Sequence, residues 1–292
     1  MLECRVQAGP AHALDIAAFA LDIPAFRHSG INLFSLMPAG HEGWGAYAPF
    51  YDWENARTMG RRDLGFWRQL ARRTGGRVLE LGSGTGRLTV PLHRHGIPVV
   101  GVDRTSEMLQ HVAPRARRAR TTRPPLARGD VTSLPFADGS FRLVMAPYGM
   151  LQSLLSDVLL ARAIREAWRV LEPGGLFGLD LVPDVPKWRE YTRKLVFFSP
   201  EGPRGRPISL RETVRQDRDK RLTTFEQEYI EGRGASKQVT PFTIRFRTLP
   251  LPAIAGRVAR AGFDVEAVLG DYRGAAWDRR ADVWLLLARK PR

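Results

Sequence analysis

Apolar residues in this chain keep helical spacing in some stretches and run unbroken in others, and the two kinds of stretch alternate. From Arg61 to Thr74, Leu64, Phe66, Trp67, Leu70 and Ala71 recur at the period of a helix face, and Gly75 and Gly76 end it. Val78 to Leu81 then reads as a short strand. The pattern next predicts a helix over Arg87 to His95, a strand over Pro98 to Val102, a helix over Thr105 to Arg120 and a short strand near Leu126. A strand over Phe141 to Ala146, a helix over Leu154 to Leu171 and a strand over Gly175 to Val182 follow. Strands that are apolar throughout and separated by helices suit a parallel sheet covered on both faces. The predicted class is α/β, a doubly wound, Rossmann-like sheet.

Past Pro183 the period changes. Ile208, Leu210 and Val214 alternate with polar residues, as do Thr223, Phe225 and Tyr229, with a turn over Asp217 to Arg221 between them. Phe242, Ile244 and Phe246 share one face of a third run. Residues 184–247 are therefore predicted to be an antiparallel β insertion leaning over a core made of residues 46–183 and 248–292. That core resumes with a helix over Leu251 to Ala261 and strands over Phe263 to Leu269 and Val283 to Ala288. Residues 1–45 are broken by prolines and glycines. They read as an N-terminal extension, flexible or cap-like, with a helix near Ala11 to Leu21 and with Met37 as an alternative start.

Composition narrows the classes. With 43% apolar and 26% charged residues the chain has an ordinary globular make-up, which excludes disorder throughout. Cys4 is the single cysteine, so no disulfide closes within the chain and no Cys-rich zinc site forms. No apolar run of about 18 residues occurs and the start lacks a signal-peptide core, so a cytoplasmic protein without a membrane partner is expected. The net charge of +15 points toward a polyanion. However, only five of the 45 basic residues are lysine, a skew better matched to overall composition than to a phosphate-binding surface. The densest cluster, Arg115, Arg117, Arg118, Arg120, Arg123 and Arg128, falls at a helix end and the loop after it.

Chemistry gathers at three predicted strand ends. Gly82, Gly84 and Gly86 stand in the turn after the first core strand, where missing side chains let a ligand approach the backbone and the next helix offers free N–H groups. Their spacing is G-x-G-x-G; a dinucleotide turn would need glycine at Arg87, which disfavours an NAD-dependent dehydrogenase. Asp103 closes the second strand, where a carboxylate either accepts from ribose hydroxyls or caps the helix opening at Thr105. Gly129-Asp130-Val131 follows the third strand, where a carboxylate can accept from an adenine amine. Such sites lie in the crevice outside the carboxyl ends of the strands.

With these residues in view, the chain resembles the class I S-adenosylmethionine (SAM)-dependent methyltransferases. The resemblance runs through VLELGSGTGRL (78–88), VVGVDRTSEML (99–109), GDVTSLPFADGSFRLVM (129–145) and LEPGGLFGLD (171–180), and on to DVWLLLARKP (282–291). It implies a seven-stranded sheet of order 3-2-1-4-5-7-6 with strand 7 antiparallel, and SAM as cofactor. It further implies that Gly82, Gly84 and Gly86 hold the methionine end, Glu80 the amino group directly or through water, and Asp103 the ribose. Asp130 would take the adenine amine and the Val131 N–H a ring nitrogen, with Ser83, Arg104, Met108, Gly129 and Met145 completing the cofactor set. More narrowly, Tyr47 to Asp52, the stretch Tyr148 to Gln152 and the Gly270-Asp271-Tyr272 end resemble bacterial small-molecule enzymes akin to glycine/sarcosine N-methyltransferases. There the tyrosine-bearing segment folds over the cofactor and the acceptor sits under the insertion.

In-line methyl transfer needs alignment, exclusion of water and an acceptor lone pair. All six histidines precede residue 112, so none falls where the acceptor pocket is expected, which argues against a histidine base. Met145 to Tyr148 supplies no carboxylate for a metal, so no metal is expected. Tyr51, Tyr148 and Asp180 are the catalytic candidates, the tyrosines through faces or hydroxyls toward the sulfonium, and Asp180 facing the acceptor or pairing with an arginine. Tyr47, Gln152, Arg211 and Arg245 are the substrate-binding candidates, the two arginines suited to an anionic small molecule. The expected partner is that small-molecule acceptor, and the expected state a monomer or homodimer. An RNA methyltransferase, motivated by the charge, and a SAM-binding protein without catalysis stand as alternatives. The RNA reading lacks the N-P-P-Y-like loop of adenine-methylating enzymes and a recognisable RNA-binding module.

Overall fold

The run Val78–Leu81 forms a central strand, β1, with every residue buried. It pairs in parallel with β2 (Val99–Asp103) on one side and β4 (Phe141–Ala146) on the other. The structure, a computed structural model, describes residues 43–58, 62–182, 190–278, 280–281 and 283–292. The extension up to residue 42, with its expected helix and Met37, and residues 183–189 lie outside the described residues.

β3 (Leu126–Arg128) adds to β2, and β5 (Leu171–Leu181) adds to β4, both in parallel. β11 (Trp284–Arg289) lies antiparallel against β5, and β10 (Asp264–Leu269) antiparallel against β11. The order is β3-β2-β1-β4-β5-β11-β10, the seven-stranded order the resemblance implies, with the last strand reversed.

Helices cover both faces. On one, α6 (Asp157–Val170) presents Leu160, Ala163, Ile164, Ala167 and Val170 at helical spacing to the sheet. α7 (Leu251–Arg260) packs Leu251, Ile254 and Val258 beside it. On the other, α2 (Leu64–Thr74) buries Trp67 completely against Leu143, Met145 and Leu176. Gly178 makes room for that ring, since a Cβ there would stand 3.0 Å from Trp67. α3 (Thr89–Arg94) packs Leu92 into the same cluster.

The single helix expected over Thr105 to Arg120 is instead two, α4 (Ser106–Gln110) and α5 (Val112–Arg118). Pro114 is the cause: it has no N–H for the Gln110 carbonyl, and its ring crowds that carbonyl. The helix expected from Leu154 starts at Asp157, because Ser156 caps it by accepting from the Val158 N–H at 3.2 Å.

The insertion is a four-stranded antiparallel sheet of β6 (Tyr191–Ser199), β7 (Ile208–Asp217), β8 (Leu222–Glu231) and β9 (Gln238–Arg247). Three of these were expected. β6 escaped because it is a largely exposed edge strand whose register shifts twice, which erases the two-residue period. The apolar face of the sheet, with Ile208, Leu210, Tyr229, Phe242 and Ile244, packs on Tyr47, Phe50 and Trp53 of α1 (Trp44–Asn55).

Tyr47, Glu54, Gln227 and Tyr229, trapped in that interface, are paired with one another. The Glu54 carboxylate accepts from the Tyr47 hydroxyl at 2.6 Å, from the Tyr229 hydroxyl, and from the Gln227 amide at 3.2 Å. Gln227 also donates to Glu212 at 2.7 Å. Burial of an ionised group demands such donors. Tyr229→Phe removes one of them and should destabilise the fold by about 1–3 kcal/mol, read from urea unfolding. Unchanged stability would show that the network carries no weight.

Candidate active site

The carboxyl ends of β1, β2 and β4 open on a cleft with a cavity of about 250 Å³. The turn after β1 needs its glycines: Gly82, Gly84 and Gly86 have φ of +64°, +52° and +78°. A Cβ on Gly82 would lie 2.6 Å from the Met150 side chain, whereas one on Gly84 would meet nothing nearer than 4.0 Å. Gly84 is thus the open point of the turn, and Met150 brings the loop after β4 against it. Gly82 and Gly84 line the cleft; Gly86 instead makes room for Val90 and Val112.

Asp103 is held by a backbone donor on each carboxylate oxygen. One oxygen accepts from the Thr105 N–H just ahead of α4, and the other accepts from the Gly84 N–H, each at 2.8 Å. Burial raises its pKa and the backbone donors from Thr105 and Gly84 oppose that rise. The entry to α4 and the shape of the glycine turn therefore depend on one carboxylate, which also faces the cavity. Asp130 is held similarly, accepting from the Thr132 N–H and hydroxyl at 2.8 Å and meeting Arg104 at 3.3 Å. Arg104, Met108, Asp130 and Val131 all line the cleft.

Four of the remaining cofactor candidates stand behind this surface. Glu80 is buried and accepts from the Thr89 hydroxyl, and burial pushes its pKa up to about 7. The Ser83 hydroxyl is buried with no hydrogen-bond partner among the described residues. Gly129 packs on Pro135. Met145 is fully buried in the core with Trp67, away from the cleft, because alternation along β4 turns it toward α2.

Among the catalytic candidates, Tyr51 and Tyr148 line the cleft together with Trp44 and Phe246. Burial raises the pKa of both phenols, so they stay protonated. Tyr148 has φ +59°, a left-handed conformation that costs a non-glycine residue about 1–3 kcal/mol and marks functional sites. Asp180 neither lines the cleft nor pairs with an arginine. It is buried and accepts from the Gly149 N–H at 2.8 Å and the Tyr272 hydroxyl at 2.9 Å, and burial pushes its pKa up to about 6. It holds the loop that carries Tyr148.

The substrate-binding candidates do not converge on the cleft. Tyr47 is buried, stacked on Phe242 with centroids 4.3 Å apart. Gln152 is used up internally, accepting from the Val182 N–H at 2.8 Å and donating to the Val182 and Arg247 carbonyls at 3.1 and 3.2 Å. Arg211 and Arg245 lie on the outer face of the insertion sheet, opposite the residues packed on α1. Arg211 meets Glu228 there at 3.5 Å, and Arg245 is exposed. A strand's two faces exclude each other, so side chains in register with polar neighbours cannot also reach the cavity.

Two pairings escaped the sequence reading. Asp63, fully buried, is gripped bidentately by Arg87 at 2.6 and 2.7 Å. Asp52 of α1 accepts from the Thr85 hydroxyl of the glycine turn at 2.6 Å and pairs with Arg115, tying the helix to the turn. Arg87 stood out only as the residue where a dinucleotide turn needs glycine; nothing in the spacing tied it to Asp63.

A glycine turn open at Gly84 and carboxylates at the ends of β2 and β3 fit an adenosyl cofactor with an amino-acid end. Such a site on a doubly wound sheet suits a protein that binds a nucleoside cofactor. A family profile described as "Methyltransferase domain" matches residues 78–175. Demethylmenaquinone methyltransferase of Thermus thermophilus is 34% identical over 164 residues, covering 52% of this chain and 72% of that protein. The Corynebacterium kroppenstedtii protein of the same name is 35% identical over 130 residues, 43% of this chain, which spans only 52% of that relative. The solved sugar N-methyltransferase KedS8 from Streptoalloteichus superposes with a TM-score of 0.66 at 16% identity, covering 94% of this chain and all of KedS8, a likeness of fold. The chain belongs to the class I SAM-dependent methyltransferases, and its cofactor is SAM. Among the described residues no helix is long and apolar enough to cross a membrane, and no cluster of three or more His, Cys, Asp or Glu is placed to hold a metal.

Two measurements test the site. Asp103→Ala should weaken SAM binding by about 1–3 kcal/mol in calorimetry, and unchanged affinity would remove its role. Because the folded chain holds the Glu80 proton more tightly than the unfolded chain does, its ionisation costs stability as pH rises from the ordinary carboxylate range through about 7. Glu80→Gln should therefore raise Tm of the cofactor-free protein at about pH 8 and flatten its decline from about pH 5, while weakening SAM binding.

Proposed function

We propose that this chain transfers the methyl group of SAM to nitrogen or oxygen of a small-molecule acceptor by in-line displacement, and that an uncharged amine nitrogen suits the site best. One observation carries this reading: the wall facing the glycine turn is made of Trp44, Tyr51, Tyr148 and Phe246, with both phenols kept neutral by burial. No histidine, lysine or cysteine lines the cleft among the described residues. When bound, SAM supplies a methyl group on a positively charged sulfur.

The chain's own groups then have a limited task. The glycine turn and Asp103 orient the cofactor, and α1, latched through Asp52, covers it and excludes water. Tyr51 and Tyr148 present electron-rich faces and hydroxyl oxygens to the cationic side of the reaction. Alignment of this kind supplies about 7–11 kcal/mol without a base, which an uncharged amine does not need. The fold shared with KedS8, described as a sugar N-methyltransferase, supports a small-molecule acceptor. The arginines favour no polyanion in the cleft, where Arg104 is the single basic lining residue among those described.

The deciding experiment incubates the chain with methyl-labelled SAM and a panel of amino sugars, simple amines, matched alcohols and tRNA, followed by mass spectrometry. Label on an amine nitrogen is expected. Label on tRNA alone, or on none of the panel, overturns the reading.

A further inference from the structure

Behind the aromatic wall lies a charged pair to which neither the sequence nor the comparisons assign a role. Asp63, just before α2, has no exposed surface, and the Arg87 side chain is 8% exposed. The guanidinium makes parallel contacts of 2.6 and 2.7 Å with the two carboxylate oxygens, a geometry that fixes its plane. The plane is then used: it lies over the ring of Tyr148, 5.2 Å from the centroid, and its charge acts on the Tyr51 hydroxyl. Neither member of the pair lines the cleft, but both tyrosines do.

Tyr148 needs such a prop. Its left-handed backbone is fixed from below by Asp180, which holds the Gly149 N–H and the Tyr272 hydroxyl. That clamp sets the backbone; the Arg87 plane sets the ring. A guanidinium beside a sulfonium would repel it, and Asp63 cancels that repulsion at the closest possible range.

We propose that the Asp63–Arg87 pair is a positioning device for methyl transfer, holding the Tyr148 ring against the sulfonium side of the cleft while keeping the prop electrically neutral. This rests on the proposed reading only in placing the methyl group at that wall. Asp63 and Arg87 are positioning residues, since they act through Tyr148.

The test needs no acceptor. SAM and S-adenosylhomocysteine differ by one methyl group and one positive charge at sulfur, so the ratio of their affinities, measured by calorimetry on the full chain, reports on that wall. Asp63→Asn leaves the guanidinium uncompensated and should lower the affinity for SAM relative to S-adenosylhomocysteine by about tenfold. Arg87→Lys keeps the charge that Asp63 requires but loses the planar fork. It should shift the ratio in the same direction by a smaller factor, and it carries the test if Asp63→Asn does not fold. Equal losses for both ligands, with the ratio unchanged, would make the pair structural only and overturn the proposal. The labelled-acceptor panel is independent of this ratio: a shifted ratio with no amine labelled keeps the pair's role and discards the acceptor class.

Discussion

Carboxylates buried at the carboxyl edge of the sheet must find donors, and the cleft takes its shape from where they find them. Glu80 takes the Thr89 hydroxyl, Asp103 the N–H groups of Gly84 and Thr105, Asp180 the Gly149 N–H and the Tyr272 hydroxyl, and Asp63 the Arg87 fork. Apart from the local Asp103–Thr105 bond, each pairing reaches across from one segment to another. An ion or polar group left bare in such surroundings is costly, so these contacts are obligatory. The glycine turn, the loop after β4 and the start of α2 are held in register by the same requirement that makes the site polar.

Helix α1 meets that site on one side and the insertion on the other. Asp52 reaches the glycine turn through Thr85 and Arg115, and two residues later Glu54 reaches the insertion sheet through Tyr229 and Gln227. Residues two apart on a helix point to different sides, which is what lets one short helix serve both contacts. The aromatic packing of Phe50 and Trp53 against Tyr229 supplies the apolar area between them. The net charge of +15 finds no counterpart inside the cleft: Arg87 and Arg115 are neutralised by Asp63 and Asp52, and Arg211 and Arg245 lie on the outer face of the insertion.

The alternation of strands and helices, the glycine turn and the carboxylate closing β2 were legible because each leaves a local mark: an apolar run or period, three glycines, an acidic residue at a strand end; the sheet order came through the resemblance alone. The split between α4 and α5 was equally local, written in Pro114, and was overlooked beside the longer apolar period. β6 left no mark, since an exposed edge strand with shifting register has no face to bury. Arg211 and Arg245 misled for the opposite reason. Their alternation was read correctly, but a strand pattern states that two faces differ without stating which one meets the cofactor.

By itself the sequence determined the alternation of elements and the glycine turn, because short-range periodicity and backbone sterics act within a few residues. Only the tertiary structure decided which carboxylate meets which donor. Asp63 and Arg87 are 24 positions apart, Asp180 and Tyr272 are 92 apart, and Glu54 and Tyr229 are 175 apart. Such pairings arise from burial, which is a property of the assembled core, and no spacing along the chain encodes them.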